Sequence, residues 1–316
     1  MKEKIKTFLS ICLLIVALPF IITLVFQGNQ GEKDNAIITF IAKQFGTENE
    51  NKSEKEVIET DNETIDVEQY LVGVVANEIP ITYEPEMLKA QIVIARTNLF
   101  CAIENGLELP QSLNAKQMLK LWGQEGFTEN YQMLSNAVTM TKGETIYYNG
   151  SYIDAAFHSV SAGKTRTASE VTEKEDVEYL TSVDSHYDIP SQDFLKVIFI
   201  SKEEFVETLT KSYPDCGVAV DDLMEKIEIK SRDSADYVNE ISIGETSMTG
   251  EEFRKIFELN SACFYIAEVE GNIRIVTKGL GHGLGLSQYG GNELAKTGKK
   301  YDEILNYYYK NIEIKQ

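Results

Sequence analysis

With 316 residues, 43% of them hydrophobic, the chain can bury a sizeable core, so neither disulfide staples nor a structural metal is needed on size grounds. A formal net charge of -20 without any local basic patch repels phosphate backbones, which excludes nucleic acid as an expected partner. Cys12, Cys101, Cys216 and Cys263 lie far apart, with no CxxC or zinc-knuckle spacing, and read as unpaired thiols.

Lys2, Lys4 and Lys6 precede an uncharged, mostly apolar run from Phe8 to Phe26 that is long enough to cross a bilayer. Basic residues ahead of it favour a cytoplasmic amino terminus and a body on the outer side of the cell membrane. A cleaved signal peptide is the competing reading, but Phe26 to Gly31 offers no A-x-A pattern. Residues 1–30 are therefore expected to be a single-pass transmembrane helix, kinked at Pro19. Residues 31–64 change texture: "GTENENKSEKEVIETDNET" is polar and acidic, as befits a tether.

The folded body is expected over 65–316. In "DVEQYLVGVVANEIP" Asp66 can cap, the apolar residues recur at helical spacing, and Pro80 ends the helix. A second, largely buried helix runs through "EPEMLKAQIVIARTNLFCAIENG", with Pro85 at its first position and Gly106 as a left-handed stop. Glu78 then sits at the mouth between them. From Gly143 the alternation turns to strands around an Asn149–Gly150 hairpin turn. A stretch at about 191–275 reads as an inserted α/β subdomain that could dock a partner. It contains a helix at "SKEEFVETLTKSY", a hairpin at "KIEIKSRDSADYVNEISIG", a Thr249/Glu252 capping box, and a hairpin turning near Gly271. A glycine-rich loop follows at 279–285, then helices capped by Ser287 and Asp302. The fold class expected is α+β, helices packed on antiparallel sheet.

Three segments carry a resemblance. They are "VEQYLVGVVANEIP" with "EMLKAQIVIARTNLF", then "FHSVSAGKTRTASEV" leading to "YLTSVDS", then "GHGLGLSQYGGNELAKTGKKYDEILNYYY". Together, over about 65–185 and 278–312, they resemble the stage II sporulation protein D family, whose wider group includes amidase enhancers. The resemblance implies a peptidoglycan lytic transglycosylase that cuts between N-acetylmuramic acid and N-acetylglucosamine during engulfment. Its implied partners are glycan strands, with a cell-wall amidase and membrane sporulation proteins as possible others. Glu78 matches the family's catalytic glutamate, and Lys89 and Arg96 fall on the matching helix positions, where they are expected to bind substrate. Some members bind zinc through the histidine matching His158 and two downstream cysteines. This chain has no cysteine between 102 and 215, so no metal or other cofactor is expected.

The residues themselves fit such chemistry. Ordinary glycoside hydrolysis needs two carboxyl groups. A transglycosylase needs one, because the sugar's own 6-hydroxyl attacks the anomeric carbon and a single acid/base serves both half-reactions. Glu78 would need its pKa raised to about 6 by burial. Lys89 and Arg96, two turns apart, share a helix face, and Arg96 is expected to hold the lactyl carboxylate of muramic acid, giving a preference for peptide-stripped strands.

His158 and His282 could hydrogen-bond a sugar or orient Glu78, although His282 could equally just fix the loop backbone. His186 reads as a surface residue. Ser161, Lys164 and Gln288 are candidate glycan contacts, whereas capping accounts for Ser287. The Tyr307–Tyr309 cluster and Trp122 could stack on sugars, but packing explains both. Two other readings stay open: a non-catalytic, glycan-binding enhancer of an amidase, and a two-carboxylate muramidase recruiting Asp66, Glu84 or Glu86.

Overall fold

A computed structural model describes residues 57–59, 64–174 and 176–316. The apolar run at Phe8–Phe26 and nearly all of the tether lie outside the described residues. Among those described, no helix is long and apolar enough to cross a membrane. They divide into two compact units, one of residues up to 77 with 111–135, the other of 78–110 with 136–316. Strands β1 (Val57–Glu59) and β2 (Thr64–Asp66) and helices α1 (Val67–Glu78), α2 (Pro85–Asn105) and α3 (Ala115–Met140) make up the first half of the chain.

In the first unit β1 and β2 pair antiparallel. Helix α1 starts where Asp66 Oδ1 accepts the N–H groups of Glu68 and Gln69, at 3.0 and 3.3 Å. Gly73 lets the chain pass close by: a Cβ there would meet Ser112 Oγ at 2.2 Å, and Leu113 N–H donates to the Gly73 carbonyl at 3.1 Å. Helix α3 is not announced by any apolar period in the sequence. It begins after reciprocal Asn114–Gln117 capping bonds and is interrupted at Gly123, where φ is 71°. Trp122 packs its ring on Phe127, which packs on Tyr131, so this tryptophan is a packing residue.

In the second unit α2 runs from Pro85 to a left-handed Gly106. It is buried along most of its length, with Met87, Leu88, Ile92, Val93 and Leu99 inaccessible to solvent. It lies on a small antiparallel sheet of β3 (Thr145–Tyr148), β4 (Ser151–Tyr152) and the last strand of the chain, Glu313–Lys315. Thr97 Oγ1 accepts the Ile146 N–H at 3.0 Å, and the Asn98 amide exchanges two hydrogen bonds with the Ala155 backbone. The β3–β4 turn is Asn149–Gly150, both at positive φ.

Beyond β5 (Phe157–His158) comes a stretch with its own core. Its elements are β6 (Leu195–Ser201), α4 (Lys202–Ser212), α5 (Leu223–Lys226), β7 (Ile227–Arg232), β8 (Val238–Ile243), β9 (Thr246–Thr249), α6 (Gly250–Ile256), β10 (Phe264–Val269) and β11 (Asn272–Lys278). Phe205, Leu209, Ile241, Phe253, Phe257, Phe264 and Ile273 pack together between the β7–β8–β9 and β10–β11–β6 sheets. Strand β6 is a further element with no turn signal beside it in the sequence. It is an edge strand whose outward side chains Leu195, Val197 and Phe199 stay exposed.

The chain then returns through the glycine loop to β12 (Leu286–Ser287), α7 (Gln288–Lys296), α8 (Tyr301–Tyr308) and β13, the terminal strand named above. The named strands pair antiparallel in several small sheets, as the expected α+β class requires, except that β12 pairs with β5 in parallel. The cap of helix α8 lies two residues before the expected Asp302. Lys300 precedes its first residue, the Glu303 carboxylate accepts the Lys300 N–H at 2.9 Å, and Asp302 lies inside the first turn. Tyr308 and Tyr309 are fully buried and bonded to Ser185 and the Ala156 carbonyl, which assigns them to core closure rather than sugar stacking.

Candidate active site

Glu78 is the last residue of α1, directly before buried Ile79 and the helix-ending Pro80. The following turn is closed by a hydrogen bond from Tyr83 N–H to the Pro80 carbonyl, and Glu84 N–H donates to Asn292 Oδ1 on α7 at 2.7 Å. The first turn of α2 is also held: Glu86 accepts the Tyr301 N–H and pairs with Lys89 at 2.8 Å. The segment that follows Glu78 is thus held to α7 and α8 by backbone hydrogen bonds.

Its carboxylate Oε2 accepts from Gln91 Nε2 at 2.8 Å, and Gln288 Nε2 donates both to the Glu78 carbonyl at 2.9 Å and to Gln91 Oε1 at 3.2 Å. Burial pushes the Glu78 carboxyl up from 4.5 to about 7, against the opposing pull of the Gln91 hydrogen bond. A group so poised is populated in both protonation states at neutral pH. Gln91 was overlooked in the sequence because a glutamine inside a helix pattern carries no signal of its own. It lies within the quoted KAQ run, thirteen residues after Glu78.

The raised pKa has a consequence for stability. In the unfolded chain Glu78 titrates near its ordinary 4.5, in the folded chain near 7, so the folded state holds the proton more tightly. The cost of ionising the buried acid is absent below 4.5, grows through that interval and is complete above 7, at about 3 kcal/mol. Glu78→Gln is therefore expected to raise the thermal midpoint at pH 8 and to leave it nearly unchanged at pH 4. Calorimetry of both proteins at the two pH values checks this.

The other candidates separate into groups. Arg96, expected to hold a substrate carboxylate, has no exposed surface and donates to the carbonyls of Glu144 at 3.1 Å and Val138 at 3.4 Å. A guanidinium sealed beneath α2 cannot reach a ligand, and its role is to satisfy backbone acceptors at the end of α3. Ser161, expected on a glycan-contacting loop, is likewise fully buried. Its Oγ and N–H both donate to Asp188 Oδ2. Ser185 and Ser287 also donate to Asp188, at 2.8 and 2.7 Å, and Ser287 caps α7 through Gly290. Burial raises the Asp188 carboxyl above the usual range while the serines oppose it, so this hub ties the segment after β5, the Ser185 turn and α7 together.

Lys89 is partly buried and faces Glu86 and the Tyr301 ring. Lys164 is exposed, on a backbone bridge to Asp184, and exposed His186 pairs with the Asp184 carboxylate. Gln288 is buried and bonds the protein rather than facing outward.

The glycine loop brings His158 and His282 together, their rings 5.7 Å apart, edge to face. Gly285 has φ 67° and a Cβ there would sit 1.9 Å from the Ala156 carbonyl, so only glycine fits. His282 Nδ1 accepts the Leu284 N–H at 3.1 Å, which fixes the loop backbone. His158 Nδ1 donates to the Leu284 carbonyl at 3.0 Å, because a carbonyl can only accept; its Nε2 is left buried without a partner. Burial, then the neighbouring His282, pulls His158 down to about 3, and burial lowers His282 as well, so both are neutral at pH 7. Neither bonds Glu78.

Arg166 anchors this loop to the β7–β11 region. It is 4% exposed, pairs with Asp233 at 2.6 Å and Glu251 at 3.1 Å, and donates to Asn239 and the His282 carbonyl. A cavity of about 610 Å³ is lined by Arg166, Glu170, Asn239, Glu251, Lys255 and His282, and Glu78 does not line it.

The profile of the family described as stage II sporulation protein matches residues 53–148, which include Glu78, Lys89, Gln91 and Arg96. The stage II sporulation protein D of Bacillus amyloliquefaciens is 31% identical over all of this chain and 96% of its own length. The chain belongs to the stage II sporulation protein D family. The stage II sporulation protein D of Bacillus subtilis is 29% identical over the same shares. The amidase enhancer of Bacillus subtilis is 28% identical over 76% of this chain but only 39% of its own length. Membership places the chain in a family of sporulation proteins.

The zinc site of some stage II sporulation protein D members does not fit the residues here. No cysteine stands between 102 and 215 to accompany His158, and no group of three His, Cys, Asp or Glu side chains among the described residues could hold a metal ion. Cys101, Cys216 and Cys263 are free.

Proposed function

We propose that this member of the stage II sporulation protein D family is a peptidoglycan lytic transglycosylase, held at the outer face of the cell membrane by its amino-terminal apolar run, with Glu78 as its one catalytic residue. The observation that carries the reading is a largely buried carboxyl, raised to about 7, whose Oε2 is held by Gln91 and whose Oε1 has no protein partner among the described residues. In the first half-reaction protonated Glu78 gives its proton to the glycosidic oxygen as the bond to the muramic acid C1 breaks. In the second, the 6-hydroxyl oxygen of the same sugar bonds C1 and its proton returns to the Glu78 carboxylate. The acid is regenerated, no water is consumed and no second carboxyl is required.

The support for a single acid extends to its neighbours. Against its partial burial, Lys89 and the Tyr301 N–H hold the Glu86 carboxyl below the ordinary carboxylate range, which suits an ion pair and not a base waiting for water. On this reading kcat/KM is flat in mildly acidic buffer and falls tenfold per pH unit above about 7, as the acid form is lost. A pH–rate profile on purified glycan strands checks it; a rate still rising past pH 8 contradicts a catalytic acid at this position.

The amidase-enhancer relative favours a second reading, in which the chain binds glycan and stimulates a separate amidase without cutting. Mass spectrometry of strands with and without stem peptides, incubated with this protein, separates the two: 1,6-anhydro ends support the enzyme, uncut strands the enhancer.

A further inference from the structure

A buried polar group can adopt only the orientation that its fixed partners permit, and around Glu78 the fixed partner is a backbone carbonyl. The Glu78 carbonyl can only accept, so the end of Gln288 facing it at 2.9 Å is the amide nitrogen. That same nitrogen has its second hydrogen on Gln91 Oε1 at 3.2 Å, which leaves the Gln91 nitrogen pointing at Glu78 Oε2 at 2.8 Å. Gln91 is 0% exposed and Gln288 4%, so water cannot take over either bond. Turning Gln91 over would set its carbonyl against the carboxylate and its NH2 against the NH2 of Gln288. The loop of bonds thus begins at the backbone of Glu78 and ends on one oxygen of its side chain.

We infer that Gln288 and Gln91 are positioning residues that reserve Glu78 Oε2 as a hydrogen-bond acceptor and confine the catalytic proton to Oε1. The inference rests on the acid/base role proposed above and deepens it. A proton on Oε2 would face the Gln91 donor and leave that buried N–H without an acceptor. Both proton transfers therefore pass through Oε1, and the carboxyl need not rotate between giving the proton to the glycosidic oxygen and taking one from the 6-hydroxyl. Gln288, expected as a glycan contact, acts through Gln91 instead.

The charged groups on the packed elements leave this pair in control. On α2 Glu86 is paired with Lys89, on α7 Glu293 with Lys296, and neither pair nor Glu84 in the connecting turn shifts Glu78. Burial and the Gln91 bond are the two influences on it.

The test is carbon NMR of the full chain labelled on glutamate carboxyls, with the Glu78 signal identified by its loss in Glu78→Gln, run beside pH–rate profiles. Gln91→Met removes the donor at nearly constant volume. It is expected to move the Glu78 titration, and with it the alkaline limb of kcat/KM, upward by about one pH unit. A merely structural glutamine would lower the thermal midpoint without moving either curve.

Gln288→Met frees Gln91 to turn and is expected to give a smaller shift in the same direction, with the double variant no further displaced than Gln91→Met alone. If Gln91→Met fails to fold, Gln288→Met carries the test by itself. An unmoved Glu78 titration in a folded variant overturns the inference, even if the wild type cuts glycan. A shifted titration in a protein that makes no anhydro ends upholds the relay and overturns the transglycosylase reading.

Discussion

Glu78→Gln is expected to lower the rate of strand cleavage by on the order of 10³-fold or more while leaving the fold intact, because general acid and general base are lost in one substitution. The amide keeps the shape of the carboxyl, and its oxygen can still accept from Gln91 Nε2, now held at 2.8 Å. What it cannot do is release or collect a proton. The variant should still bind glycan strands, so co-sedimentation with purified sacculi at wild-type levels, together with absent product, separates lost chemistry from lost binding. Glu78→Asp keeps the acid but shortens the arm by a methylene, pulling it from Gln91, and is expected to recover only a small fraction of the activity.

The second large effect is on stability. Arg166→Met is expected to destabilise the protein by about 3–5 kcal/mol, the usual result of removing one partner from a buried ion pair. Asp233, whose side chain is 0% exposed, would be left as a buried charge, while the Asn239 and His282 oxygens would each lose a donor. For a domain of this size that corresponds to a fall in thermal midpoint of roughly 10 °C. Adding Asp233→Asn, which removes the stranded charge, is expected to restore part of the loss. Differential scanning calorimetry of the two single variants and the double variant reads this directly, and a loss from Arg166→Met below about 1 kcal/mol would mean the site stays hydrated. Hydrogen exchange should rise first across 279–285, since the Arg166 backbone and side chain bond the Gly283 and His282 carbonyls.

Local punctuation made much of the fold readable. Pro85, Gly106, Asn149–Gly150 and the Thr249–Glu252 box each dictate a backbone state within four residues, and each sits where the structure ends or begins an element. Helix α3 escaped because its apolar positions are diluted and Gly123 breaks its period. Strand β6 escaped because "LKVIFIS" next to Pro190 has no turn pair to declare a hairpin; its partner β11 is some 75 residues later, as in Ile198 opposite Ile275.

The candidate site divides in the same way. The place of Glu78 at the end of α1 was legible from Pro80, while the acid role proposed for it came from the family resemblance. Arg96 and Ser161 misled because a long cation or a loop serine looks available until its carbonyl and carboxylate partners, 27 to 48 residues away, are in place. Asp188 and Gln91 were silent for the converse reason: their partners come from segments that only the fold brings together.

The proposed chemistry requires that the sugar close on itself at an acid that needs no water. Cleavage of purified strands in water enriched in heavy oxygen, followed by mass spectrometry of the new ends, asks this in one experiment. The proposed chemistry predicts ends lighter than reducing sugars by one water and free of the heavy isotope. Reducing ends carrying heavy oxygen would contradict it and require a second carboxyl to activate water.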